Sequence, residues 1–202
     1  MIGLLRVACL LIGTATAGLC GPTGIGLTGM TPLADPEEPS QIFKVVQSER
    51  SFQGYLTGYS FWDNTPPGSA AIARPVIRSR AGGTGTFGDP ITIAVGYRLE
   101  NGSARLDFPA GTRFYIPEIR RYAIVEDICG DGPQPHLTGC HRGKNGAPWL
   151  DIYVGGQSAG RGASDACMRR ITGMKQFIMN PRDGYPVDAG ALTESGCGGG
   201  FS

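Results

Sequence analysis

Trp149-Leu150-Asp151-Ile152-Tyr153-Val154 is the stretch on which the reading of this chain turns. Laid out as extended chain, successive side chains point to opposite faces, so Leu150, Ile152 and Val154 form an apolar face and Asp151 joins Tyr153 on the other. A core strand that carries a carboxylate beside an aromatic ring is equipped for work on sugars. Working outward, short β runs fall at 55–63, 70–78, 91–97, 112–117, 122–127 and 150–154, separated by turn residues at irregular spacing and without an internal repeat. One helix is expected: Ser164 offers an N-cap, Cys167 and Ile171 stand one turn apart on one face, and Gly173 can end it. A cysteine on the inward face of that helix points to a disulfide pinning helix to barrel.

Composition agrees with a loop-rich, mainly β domain. The 202 residues include 33 Gly and 15 Pro, which disfavours long helices, yet 41% are hydrophobic, enough for a core. Charged residues are 17% and balance to +1, so no field gathers nucleic acid or an anionic membrane. Residues 1–17 read as a secretory signal peptide: Arg6 supplies the positive charge, Val7 to Gly13 an apolar run too short to span a bilayer, and Ala15-Thr16-Ala17 the small residues before cleavage at Gly18. Leu19 before Cys20 is a poor match to a lipoprotein signal. A flexible leader or propeptide is expected over 18–41, the barrel domain over 42–178, and a loop-rich tail over 179–202.

Removal of Cys9 with the signal leaves Cys20, Cys129, Cys140, Cys167 and Cys197. In an oxidising compartment these give two disulfides and one odd thiol, with Cys20 the odd one; four cysteines allow three connectivities and spacing chooses none. Cys129, Cys140 and His141 lack the paired short spacings of a zinc site, and no metal or other cofactor is expected. Asn101-Gly102-Ser103 is a glycosylation sequon in a eukaryotic host.

Two familiar signatures fail their context. Gly83-Thr84-Gly85-Thr86-Phe87-Gly88 fits the dinucleotide fingerprint but precedes Asp89-Pro90 and a β run instead of a helix. Gly156-Gln157-Ser158-Ala159-Gly160 fits a serine nucleophile elbow, but both histidines, His136 and His141, precede it, and a hydrolase of that class needs its His downstream.

Carboxylate chemistry remains. Asp127 shares a face with Ala123 and Val125 in strict alternation, or ends its strand and caps the turn at Cys129-Gly130. Tyr59, Phe61 and Asp63 line one face if Tyr59-Ser60-Phe61-Trp62-Asp63 is extended; alternatively Asp63-Asn64 opens the turn into Pro66-Pro67-Gly68, and the aromatics are plain core. Glycosidic bond cleavage needs one carboxyl held protonated for the leaving oxygen and another ionised to activate water or stabilise the oxocarbenium-like state.

Asp89-Pro90-Ile91-Thr92-Ile93-Ala94, Pro109-Ala110-Gly111-Thr112-Arg113-Phe114-Tyr115-Ile116-Pro117, Tyr122-Ala123-Ile124-Val125-Glu126-Asp127 and Trp149-Leu150-Asp151-Ile152-Tyr153 together resemble the six-stranded double-psi β-barrel of the three-aspartate domains. Those domains occur in peptidoglycan lytic transglycosylases, and the same barrel underlies expansins and family 45 endoglucanases. Tyr59-Ser60-Phe61-Trp62-Asp63 is similar to the tyrosine-tryptophan-aspartate entry of those cellulases. The likeness covers roughly residues 57–173.

By position, the resemblance implies Asp151 as catalytic acid, Asp63 as the cellulase base, Asp127 as a group that orients or tunes Asp151, and Asp89 as the first of the three aspartates. Tyr59, Trp62, Trp149, Tyr153 and Tyr115 become substrate-binding surfaces. Trp149-Leu150 stands where the family has His-Phe, and Cys129-Gly130-Asp131-Gly132 replaces the transglycosylases' Gly-Gly-Ala-Ile run, which bears on peptidoglycan specificity. A base acting through water implies a carboxylate separation of about 6.5–9.5 Å. The expected protein is a secreted monomer acting on polysaccharide: cellulose-like, chitin or peptidoglycan. The alternative is a non-catalytic expansin-like wall binder, or a barrel that inhibits a protease or acts as an effector.

Overall fold

The computed structural model describes residues 48–130 and 132–198. The expected signal peptide, the leader, Cys9 and Cys20 lie outside the described residues, as do Asp131 and the first residues assigned to the barrel, 42–47.

Six strands close into a barrel: β1 (Arg50–Tyr59), β2 (Ile91–Val95), β5 (Arg113–Ile116), β6 (Arg121–Ile128), β7 (Trp149–Tyr153) and β8 (Gly173–Met179), in the order β1-β7-β2-β6-β5-β8. β3 (Tyr97–Glu100) and β4 (Ser103–Leu106) form a separate hairpin, and α1 (Arg161–Ile171) joins β7 to β8. β1 runs parallel to β7 and β2 parallel to β6, while the other barrel pairs are antiparallel. Parallel neighbours cannot be joined by a tight hairpin. The connections therefore cross the barrel ends, which is where so much Gly and Pro is used.

The interior follows the alternation in the sequence. Leu56, Ile91, Ile93, Val95, Phe114, Ile116, Ala123, Val125, Leu150, Ile152 and Phe177 are buried together. Phe52, Phe108, Phe114 and Phe177 pack ring against ring at one end, with centroids 5.2–6.0 Å apart. Gly54 has no side chain because a Cβ there would press on Phe177 and Leu150. Closure uses every strand edge, so the barrel leaves no unpaired row of backbone groups to template association.

Several expected boundaries move. The run at 55–63 is really a strand from Arg50 to Tyr59 followed by a turn. Residues 70–78 form no strand, because their N–H groups go elsewhere: Ala73 donates to Asp127 Oδ1, Arg74 to the Glu126 carbonyl, and Val76, Ile77 and Arg78 to Glu126 Oε1. β8 supplies the sixth strand from a stretch that reads as half polar, pairing seven residues with β1. Ser164 is inside α1 rather than its cap: Gly160 takes the cap position, and the Ser164 hydroxyl donates back to the Gly160 carbonyl.

Both disulfides form within the described residues, Cys129–Cys140 and Cys167–Cys197. The second ties α1 to the C-terminal segment rather than to a barrel strand. Residues 180–198, although irregular, pack on the barrel: Leu192 is fully buried, Ser195 accepts from the buried Arg121 guanidinium at 2.6 Å, and Tyr185 stacks on Tyr115 at 4.5 Å. Two disulfides fit an oxidising, extracellular setting.

Candidate functional site

The site is built on the outer face of four adjacent strands. Asp151 and Tyr153 point outward from β7 as alternation requires, with Thr57 and Tyr59 beside them on β1, their register partners. On β2, Ala94 is the partner of Asp151 on one side and of Asp127 on the other. Neighbouring strands lie about 4.8 Å apart, so the two aspartates stand about 10 Å apart at their Cα atoms with the Ala94 methyl between them.

Strict alternation would send Asp127 inward with Ala123 and Val125. A β-bulge corrects this reading. Ile93 pairs with Val125, the next residue Ala94 pairs with Asp127, and Glu126 is the extra residue. The bulge therefore presents Glu126 and Asp127, neighbours in sequence, on the same outer face. Asp127 lines the cavity, while Glu126 is fully buried beside Thr92, whose hydroxyl donates to it at 3.1 Å.

Asp63, Asp127 and Asp151 line one cavity of about 280 Å³, together with Tyr59, Ala94, Ile128, Cys129 and the loop carrying Ala71, Ile72 and Ala73. Asp127 is 6% exposed; its Oδ1 accepts from the N–H groups of Ala73 and Ile128, and its Oδ2 accepts from the Tyr59 hydroxyl at 2.9 Å. Burial pushes its carboxyl above the ordinary carboxylate range, against those three donors and Arg74, which favour the ionised form. Burial, and then the charge of Asp127, hold the Tyr59 hydroxyl well above its usual range, so it stays a donor. Asp151 Oδ1 accepts from Thr57 Oγ1 at 2.7 Å, and Thr57 Oγ1 in turn accepts from Trp149 Nε1 at 2.8 Å. Asp63 is on the exposed rim, where its Oδ1 accepts from the Ser60 N–H and hydroxyl and so closes the turn after β1.

The folded chain holds the Asp127 proton more tightly than the unfolded chain does. Asp127 accordingly favours folding at pH values below the ordinary carboxylate range, and that contribution is lost as pH rises through its elevated folded value. Asparagine at this position can keep its oxygen for the two backbone N–H groups and turn its amide to the Tyr59 oxygen. Asp127→Asn is therefore expected to melt a few degrees above the parent at pH 7, where each kcal/mol is worth about 2–4 °C for a chain of this size, and to match it near pH 3. A gain of equal size at both pH values would contradict the burial account.

The other expected site residues separate. Tyr153 is buried edge-on against Tyr59, at 5.3 Å between centroids, and burial raises its hydroxyl. Trp62 is half-buried beside the loop after β7, its indole N–H donating to the Gly156 carbonyl at 2.8 Å. Trp149 lines a neighbouring hollow instead of the aspartate cavity. Tyr115 is elsewhere on the barrel, stacked on Tyr185 with its hydroxyl donating to the Pro186 carbonyl. Asp89 is paired with Arg78 at 2.6 Å and is outside the cavity lining.

Sequence reading missed Glu126 and Arg78, which carry the loop roofing the cavity. The signal was present as two adjacent carboxylates at the end of a β run, an arrangement that only a bulge or a chain end can face the same way. Ser158 does sit between a strand and a helix, as an elbow demands, but its hydroxyl donates to Glu194 at 2.6 Å. His141 is bonded to Asp107, and His136 lies against Tyr97. Among the described residues no three His, Cys, Asp or Glu side chains gather as a metal-binding set.

Residues 51–198 match the family described as the DDB_G0273701 N-terminal domain. An uncharacterized protein of Dictyostelium discoideum, DDB_G0273701/DDB_G0273221, is 32% identical over 153 residues, 76% of this chain and 61% of the relative. The chain thus spans about three fifths of the length of the curated relative it matches. No solved structure matches.

Proposed function

This chain belongs to the DDB_G0273701 N-terminal domain family, and we propose that its barrel is a secreted, double-psi-type module that cleaves glycosidic bonds by carboxylate acid/base chemistry. The observation that supports this reading is the meeting of Asp63, Asp127 and Asp151, from three separate segments, around one open cavity. Asp151 is the proton donor to the leaving oxygen. Asp63, on the wet rim, orients or deprotonates the attacking water. Asp127, held beside the cavity by Tyr59 and the N–H groups of Ala73 and Ile128, orients or tunes Asp151. Secretion is supported by the two disulfides together with the charge, apolar run and small residues of positions 1–17.

A second reading has its own observation. Asp63 Oδ1 is engaged by Ser60, as in a structural turn, and a wall-binding barrel of the expansin type has no need of a base. The experiment that tests both is sedimentation of the purified protein with cellulose, chitin and peptidoglycan, with assay of new reducing ends. Co-sedimentation with release is expected. Co-sedimentation without release favours the binder, and failure to sediment with any glycan would remove both.

A further inference from the structure

A second hollow of about 290 Å³ opens beside the aspartate cavity, with Asp107, Phe108, His141, Arg142 and Trp149 among its walls. Its place relative to the first follows from the strands. From Asp151 to Trp149 along β7, and from Ala94 to Gly96 at the end of antiparallel β2, the chain advances two residues on the same outer face, about 7 Å. Gly96 has no side chain to obstruct this face: a Cβ there would run into the His141 backbone and Asp107 Oδ2. The glycine lets the short turn Gly139–Arg142 lie directly on the sheet. The Cys129–Cys140 disulfide then joins the two hollows, since Cys129 lines the first and Cys140 the second.

The chemistry of the second hollow is that of a saccharide contact. Asp107 Oδ1 stands 2.7 Å from His141 Nδ1, so the carboxylate orients the imidazole and leaves Nε2 for a ligand. Arg142 is exposed and makes no ion pair among the described residues, so its guanidinium donors are uncommitted. Trp149 adds a half-buried ring whose own N–H is already spent on Thr57. A half-buried indole, an imidazole nitrogen and a fork of guanidinium donors suit the apolar face and hydroxyl edges of a sugar. The chain Trp149 Nε1 to Thr57 Oγ1 to Asp151 Oδ1 fixes the indole and the carboxylate relative to one another.

We propose that this hollow is a second saccharide subsite of the same groove. It holds the sugar unit next to the one whose bond faces Asp151, so the substrate is an oligosaccharide long enough to bridge both hollows. The inference rests on the glycan-cleaving reading above, with Arg142 and His141 as binding residues and Asp107 as the positioning residue for His141.

The test uses chito-, cello- and muro-oligosaccharides of increasing length, with affinity measured calorimetrically on Asp151→Asn protein and KM and kcat on the active chain. Affinity is expected to step up at the length that fills both hollows. Arg142→Ala and His141→Ala should each weaken the long ligands by about tenfold, the worth of one hydrogen bond to a charged or polarised group, and leave the shortest bound ligand unchanged. In turnover the loss should fall on KM for long substrates with kcat kept. Length-independent affinity, or long ligands unaffected by both variants, overturns the subsite while cleavage stands. Equal weakening at all lengths with a lowered melting temperature marks Asp107–His141 as a structural latch and also overturns it. Absence of binding by every oligosaccharide removes the subsite and the cleavage reading together.

Discussion

Asp151→Asn is expected to yield a folded protein that still sediments with its glycan and releases no measurable reducing ends. Asparagine has the shape of aspartate, and its oxygen can still accept from Thr57 Oγ1, so the relay from Trp149 survives. What it lacks is a proton to give. General acid catalysis is worth about 10²–10⁴ in rate, so the loss should be at least that large in kcat. On the proposed reading the surrounding walls hold the sugar as well as the acid does, so binding should persist. Circular dichroism and the melting temperature check that the barrel is intact. Full activity in this variant on a glycan that the parent cleaves would sink the assignment of Asp151 as donor.

Glu126→Ala is expected to be the most damaging single change to the fold. The Glu126 carboxylate accepts from the N–H groups of Val76, Ile77 and Arg78 and from Thr92, and Arg78 Nη1 lies 3.5 Å from it. Alanine removes every one of these partners at once. Arg78 keeps Asp89, but three loop N–H groups lose their only acceptor among the described residues. Removing one partner from a buried charged network costs about 3–5 kcal/mol. Denaturant midpoints should show the loss, and hydrogen exchange should show residues 76–78 opening first. The segment just before them, Ala71 to Ala73, roofs the aspartate cavity, so glycan binding should fall as well. A variant within about 1 kcal/mol of the parent would show that the loop is held by something else.

The barrel itself was legible because its inward residues obey a strict two-residue period. Leu150 and Ile152, Ile91 and Ile93, and Ala123 and Val125 declare their face without help from the rest of the chain. β8 was not legible: Met174, Lys175 and Gln176 carry no such period, and it is a strand because β1 and β5 present open edges to it. The segment 70–78 failed in the opposite sense. Its composition permits a strand, yet its donors are taken by two carboxylates some fifty residues away in sequence, a long-range fact that no local pattern records.

For the site, Asp151 could be read from its own strand. The meeting of Asp63 and Asp127 with it could be expected only through a family likeness, because three distant segments have no common local signal. Tyr115 lies outside the lining of the aspartate cavity. Its position along the chain was suitable, but its ring is occupied by the C-terminal segment through Tyr185 and Pro186.

The extra residue in β6 has a further consequence for how this barrel can change. Because Glu126 is the unpaired member of the Val125-Glu126-Asp127 step, loss of its single codon would leave the inward series Ala123, Val125 unbroken and still place an aspartate opposite Ala94. The carboxylate that accepts from Val76, Ile77, Arg78 and Thr92 would go, and the fold would lose about as much as in Glu126→Ala. The placing of the aspartate and the anchoring of the loop thus rest on adjacent but different residues of one strand: Asp127 is set by its register opposite Ala94, the loop by the residue that register skips.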